Sequence, residues 1–191
     1  MALVDRVKNI LLTPKTEWPT IAGETATVQS LYTEYILILA AIGPIVMALS
    51  SVLRGGFAGI AIALVSYAIG LAVTYLLALI VDALAPTFGG EKNFIQSLKL
   101  TAYSYTAAWV GGIFQIVPVI GGIIGLAAAI YAFYTFYLGV TSMKKCPQDK
   151  AAGYTIVIVL CGIVLGVGLM AVLMSVLLGG GMGLAGLGMM N

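Results

Sequence analysis

Apolar positions along this chain follow two patterns. In residues 2–12 (ALVDRVKNILL) they recur at helical spacing. Leu3, Val4, Val7, Ile10 and Leu11 share one face, while Asp5, Arg6, Lys8 and Asn9 take the other. That spacing predicts a short amphipathic helix, lying in a membrane interface or packed against the protein's own loops. Pro14 and Pro19 then interrupt it, Trp18 suits the headgroup level, and residues 20–30 read as a polar linker. From residue 31 the apolar positions run nearly unbroken in blocks at 31–53, 57–84, 94–117, 119–143 and 151–178. Crossing a hydrocarbon layer of about 30 Å takes about 20 helical residues, so each block is long enough to span a membrane.

The third and fourth blocks meet at Gln115-Ile116-Val117-Pro118-Val119, a turn without a charge. Proline removes a backbone donor and pushes the preceding residue out of helical geometry, so a transmembrane hairpin breaking at Pro118 is expected. The predicted fold is all-α: a polytopic membrane helical bundle of five transmembrane helices plus a short N-terminal amphipathic interfacial helix. Residues 1–30 would form the cytoplasmic helix and linker, 31–178 the transmembrane domain, and 179–191 a flexible tail rich in glycine and methionine.

Composition supports the membrane assignment, with 61% hydrophobic and only 8% charged residues. A soluble domain carries roughly 25% charge. The net charge of +2 gives nucleic acid nothing to bind. Asp5, Arg6 and Lys8 break up the first apolar residues, so no signal peptide is expected and the first membrane helix would direct insertion. Basic residues fix the expected orientation. Arg6, Lys8, Lys15, Lys92, Lys99, Lys144, Lys145 and Lys150 fall on one side and Arg54 alone on the other. The amino terminus should face the cytoplasm of the inner membrane and the carboxyl terminus the outside.

Chemistry is sparse. There is no histidine, Cys146 and Cys161 lie apart, and no nucleophile elbow, carboxylate pair or phosphate loop can be found. A non-enzyme without metal or cofactor is expected. Ionisable residues in membrane helices often mark function, which makes Glu34, Asp82 and Lys99, with Tyr103 and Tyr105, a candidate polar cluster on the cytoplasmic side. An Asp82–Lys99 ion pair and simple solvation both fit. Tyr131, Tyr134 and Tyr137 share a helix face as an aromatic seam. Their hydroxyls could bond to Ser104, Thr106, Gln115 or Thr135, or their rings could line a slot for a lipid. Ser66 with Gly70, Gly121 with Gly125, and Gly162 with Gly166 offer small-residue seams within the chain or between copies.

The runs AYSYTAAWVGGIFQIVPVIGGI, IYAFYTFYLGV and KKCPQDKAAGYTIVIVLCGIVLG, with the amino-terminal NILLTPKTEWPTIAGE, resemble the bacterial branch of the Yip-one family. That family is named for eukaryotic members that interact with Rab-type GTPases. Its most specific parts here are residues 103–118 and 147–155. The resemblance implies five transmembrane helices with a cytosolic amino terminus. Ala107 stands where that branch would carry proline, which should leave the third helix straighter. The expected role is a scaffold or lipid-organising protein attracted to anionic lipids. Alternatives are a small-solute or lipid transporter using the third and fourth helices, and a subunit whose amino terminus docks a protein partner. Homo-oligomerisation stays open.

Overall fold

The computed structural model describes residues 2–188; Met1 and residues 189–191, the end of the expected tail, lie outside the described residues. Among the described residues all regular structure is helical. Helices α1 (Leu3–Leu12) and α2 (Pro14–Gly23) form an amino-terminal hairpin. The long α3 (Val28–Leu53) contains a π-turn at Tyr32–Ile36. Then come α4 (Ala58–Leu84), α5 (Phe94–Ser104), α6 (Thr106–Gly111), a 3-10 turn (Gly112–Ile116), α7 (Pro118–Lys144) and α8 (Gln148–Gly188).

Four described helices are long and apolar enough to cross a membrane: Val28–Leu53, Gly59–Phe88, Val119–Lys144 and Gln148–Ala171. The third predicted span is different, because it arrives in pieces. At Tyr105 the backbone leaves ideal helix (φ −74°, ψ −6°). Thr106 donates its hydroxyl proton back to the Tyr103 carbonyl at 2.7 Å, which competes with the regular ladder. The third predicted span is thus broken at Tyr105 even with alanine rather than proline at position 107. Further on, a Cβ added at Gly112 would lie 3.2 Å from the Gly43 Cα, so the two backbones approach closely and a side chain there would force one of them to shift. Val117 is extended and Pro118 opens α7, as the rules for proline require.

The broken segment still runs the length of the bundle. It starts beside Lys144, whose ammonium donates to the Asn93 carbonyl at 3.1 Å. It ends with Gln115 sharing a cavity wall with Ser50 and Arg54. We call the Lys144 end the base and the Arg54 end the far end. The core sits at the base: Leu31, Tyr35, Leu77, Val81, Leu98, Phe136, Val140, Met143 and Tyr154 are all buried. Towards the far end the same helices turn large apolar side chains outward, including Ile45, Leu64, Ile123 and Val164. Water does not tolerate such a surface; hydrocarbon does.

The amino-terminal hairpin belongs to the base. Pro14 does not end helical structure but starts α2, because an N1 residue has no intrahelical N–H bond to lose. Trp18 is not at a headgroup surface; it is fully buried, and its indole N–H donates to the Thr135 carbonyl at 2.9 Å. Gly139 makes room for it, since an added Cβ would sit 2.6 Å from the indole ring. The expected glycine seams are used unevenly. Gly121 and Gly162 meet neighbours, whereas Gly70, Gly125 and Gly166 face open space. In detergent, Trp18→Ala should cost about 3–5 kcal/mol of stability and Gly139→Val about 1–3 kcal/mol. Thermal unfolding measures both, and an unchanged midpoint for either variant would mean that the hairpin is not seated as described.

Candidate functional site

A charge removed from water must be matched by partners, and the base holds two solutions to that problem. The first is built on the hairpin. Arg6 of α1 is only 4% exposed and donates to the carboxylates of Glu17 and Glu24. Asn9 adds a bond to Glu17 at 3.2 Å. Burial alone would lower the Arg6 pKa, but the Glu24 hydrogen bond and the nearby acidic charges more than offset it and hold it above its ordinary value. The guanidinium lies 5.6 Å from the Tyr103 ring centroid, a cation–π contact. The sequence pattern placed Arg6 on the polar face of α1; burial there is made possible by acidic partners from α2 and beyond it.

Lys99 of α5 enters the same region fully buried and, among the described residues, without a salt bridge to a carboxylate. Its ammonium donates to the carbonyls of Ile21, at 2.9 Å, and Glu24. These are the open carbonyls at the end of α2, where a cation is favoured. Tyr103 packs edge-on to Tyr35, with ring centroids 4.6 Å apart. Tyr35 bonds Thr106 at 2.6 Å; with the Thr106 proton already used on Tyr103, Tyr35 is the donor. Between these groups lies a cavity of about 600 Å³, whose polar lining includes Arg6, Glu24, Thr25, Glu34, Lys99 and Tyr103. Glu34 sits in the π-turn, a device common at functional sites. Its carboxylate has no ion pair or hydrogen bond among the described residues.

The second solution is saturated. Lys144 is fully buried and donates to Asp82 at 2.8 Å, to the Ser97 hydroxyl at 2.7 Å and to the Asn93 carbonyl at 3.1 Å. Asp82 also accepts from the Asn93 N–H at 2.7 Å. This cluster staples α4, α5 and α7 together and leaves no ammonium proton free. Nearby, the Tyr154 hydroxyl donates to the Val81 carbonyl while its ring stacks on Phe88, with centroids 5.0 Å apart. Burial pushes the Cys146 thiol up, which leaves it a packing residue.

Of the sequence-predicted cluster, Glu34, Lys99 and Tyr103 share the cavity. Asp82 does not join them, since Lys144 rather than Lys99 is its partner. Tyr105 turns towards a separate apolar slot of about 230 Å³ lined by α4, α5, α6, α7 and α8, beside the buried Ser104 hydroxyl, which has no hydrogen-bond partner among the described residues. In the aromatic seam, Tyr131 and Tyr134 have ring centroids 5.8 Å apart. The Tyr131 hydroxyl donates to the Leu11 carbonyl at 2.7 Å, tying α7 to α1 rather than to Ser104, Thr106, Gln115 or Thr135. Tyr137 packs against the core. Sequence reasoning missed Arg6, Glu24, Tyr35 and Lys144 as site residues. The only available signal was the acid–base alternation of residues 5–24, which does not say which charges become buried. Among the described residues no group of three metal-ligating side chains assembles.

Asp82→Asn or Lys144→Met alone should destabilise the protein by about 3 kcal/mol, by leaving one buried group without its partner. The double variant should recover most of that loss. Unfolding midpoints of the three variants in detergent read this coupling, and additive losses would refute it.

Comparison with known proteins agrees with this architecture. The inner membrane protein YohC of Escherichia coli strain K12 is 22% identical over 157 residues, covering 74% of this chain and 80% of its own. YohC of Escherichia coli O6:H1 strain CFT073 matches to the same extent. No solved structure matches. The Yip1 domain matches residues 8–170, which begins within α1, after Arg6, and takes in α2, Lys99, the Lys144 cluster and the apolar helices. A Yip1 match over most of the sequence, on a bundle with four helices fit to span a bilayer, identifies this chain as a multi-pass membrane protein belonging to the Yip1 domain family.

Proposed function

We propose that this protein is a non-enzymatic scaffold of the cytoplasmic membrane that organises lipid at the inner leaflet. In this reading it crosses five times, the broken segment at residues 94–116 being the third crossing, with the amino terminus inside and the carboxyl terminus outside. Two facts support the topology. That segment runs from the base to the far end, and Arg54 lies at the far end while Lys99 and Lys144 lie at the base. The observation that carries the function is the position of the polar cavity. Glu34 lies one helical turn, about 5 Å, towards the base from Ile38, the first large apolar side chain that α3 turns outward. A cavity at that depth stands where lipid headgroups meet the hydrocarbon.

The basic count overstates the pull on anionic lipid. Arg6, Lys99 and Lys144 are buried and engaged, and Lys145 pairs with Glu91 at 2.8 Å. Lys8, Lys15, Lys92 and Lys150 remain exposed, without an ion pair among the described residues, at about 1 kcal/mol each near an anionic surface. A solute path through the third and fourth segments gains less support, because the slot between them is short and largely apolar.

In nanodiscs of mixed composition the protein should enrich anionic lipid around itself, and glutamine at the four lysines should abolish that enrichment. Equal lipid distribution around the unmodified protein would end the reading. In a cysteine-free background, Gln148→Cys and Met190→Cys should label from opposite sides of the membrane; labelling from one side would refute five crossings.

A further inference from the structure

Two consecutive hydroxyls at the break in the third segment have nothing to bond. Ser104 is 3% exposed and Tyr105 is half-buried, and neither hydroxyl has a hydrogen-bond partner among the described residues. Away from water an unpaired hydroxyl is costly, so such groups normally meet an acceptor. Both residues line the apolar slot of about 230 Å³. A Cβ added at Gly162, on the α8 wall of that slot, would lie 3.9 Å from the Tyr105 hydroxyl oxygen, which places that hydroxyl inside the slot. The Ser104 oxygen is enclosed, so the Tyr105 hydroxyl is the one a ligand reaches.

The surroundings of the slot define what it takes. Its mouth opens on the outer surface of the bundle, where its lining residues Phe133 and Ile163 are 39% and 52% exposed. No charged side chain lines it, so it offers nothing to a phosphate, an ammonium or a free carboxylate. It calls for an apolar body bearing one neutral acceptor. Depth selects the acceptor. Tyr105 lies two residues, about 3 Å, beyond Tyr103, which lines the polar cavity. That is the level just inside the headgroups, where the ester carbonyls of glycerolipids lie. From Phe136 to Ala129 the α7 wall of the slot runs about 10 Å further from the base, against about 15 Å for the hydrocarbon of one leaflet. We propose that the slot holds one acyl chain of a glycerolipid from the base-side leaflet, with its ester carbonyl accepting a hydrogen bond from the Tyr105 hydroxyl. The depth rests on the reading above, but the headgroup stays outside the slot, so the site is independent of the pull of the exposed lysines on anionic lipid.

The test is native mass spectrometry of protein released from nanodiscs holding equal amounts of diester and diether phosphatidylcholine with the same chains. The headgroup has no net charge, and only the diester form carries carbonyls. It should be retained over the diether form about fivefold, the worth of one neutral hydrogen bond. Tyr105→Phe removes the donor without breaking a bond to the rest of the protein, so it should bring the ratio to parity and leave the unfolding midpoint unchanged. Ala129→Leu, which fills the slot, should also bring the ratio to parity. Equal retention by the unmodified protein, the result if water satisfies the hydroxyl, overturns the assignment. So does a fivefold ratio that survives in Tyr105→Phe or in a folded Ala129→Leu variant. If the ester preference fails while the lysine-dependent anionic enrichment persists, this site is wrong and the broader reading stands. If both fail, the reading beneath it fails too.

Discussion

A guanidinium taken out of water needs carboxylates, and at the base of this bundle that need shapes the fold. Arg6 draws Glu17 and Glu24 to itself and so closes the α1–α2 hairpin. The closed hairpin presents the carbonyls of Ile21 and Glu24 to Lys99, which lets a lysine be buried on α5 without a carboxylate of its own. The cavity is the space left when those groups have been satisfied. Removing Arg6 would therefore free the hairpin, deprive Lys99 of its partners and open the cavity wall together, so its effects should be strongly non-additive.

The bundle divides along its length by the solvent each part needs. Near the base the helices bury their contacts and spend their polar groups on one another, as in the Lys144 cluster. Beyond Ile38 on α3, and at matching depths on the other long helices, large side chains face outward. No hydrophobic drive holds helices together in lipid. Cohesion in that half comes from close approaches such as Gly112 on Gly43, while the base supplies the organised core.

Much of this was legible in the sequence. Long apolar runs fix the spanning helices because burial in hydrocarbon leaves no alternative to the helix, and Pro118 marked its own turn. Three of the five residues in the predicted polar cluster share one cavity, because polar residues near the same end of neighbouring apolar helices fall in one layer, and a spacing of four puts Lys99 and Tyr103 on one face. What the residues did not reveal are pairings across long separations. Asp82 could have chosen Lys99 or Lys144, and helix register together with the geometry of Asn93 and Ser97 decided for Lys144. Trp18 read as interfacial because nothing in residues 14–20 indicates that Gly139 lies opposite. The break at Tyr105 was hidden for a similar reason, since it depends on what Thr106 bonds rather than on any proline.

The indole-to-carbonyl bond joins Trp18 to Thr135, 117 residues later in the chain. A ribosome delivers the amino-terminal hairpin first, yet its seat on α7 does not exist until most of the protein has been inserted. Until then Arg6 and its acidic partners must wait at the membrane surface with their final neighbours unmade. The hairpin can thus dock only after α7 has been made, and the polar cavity it walls in closes only then.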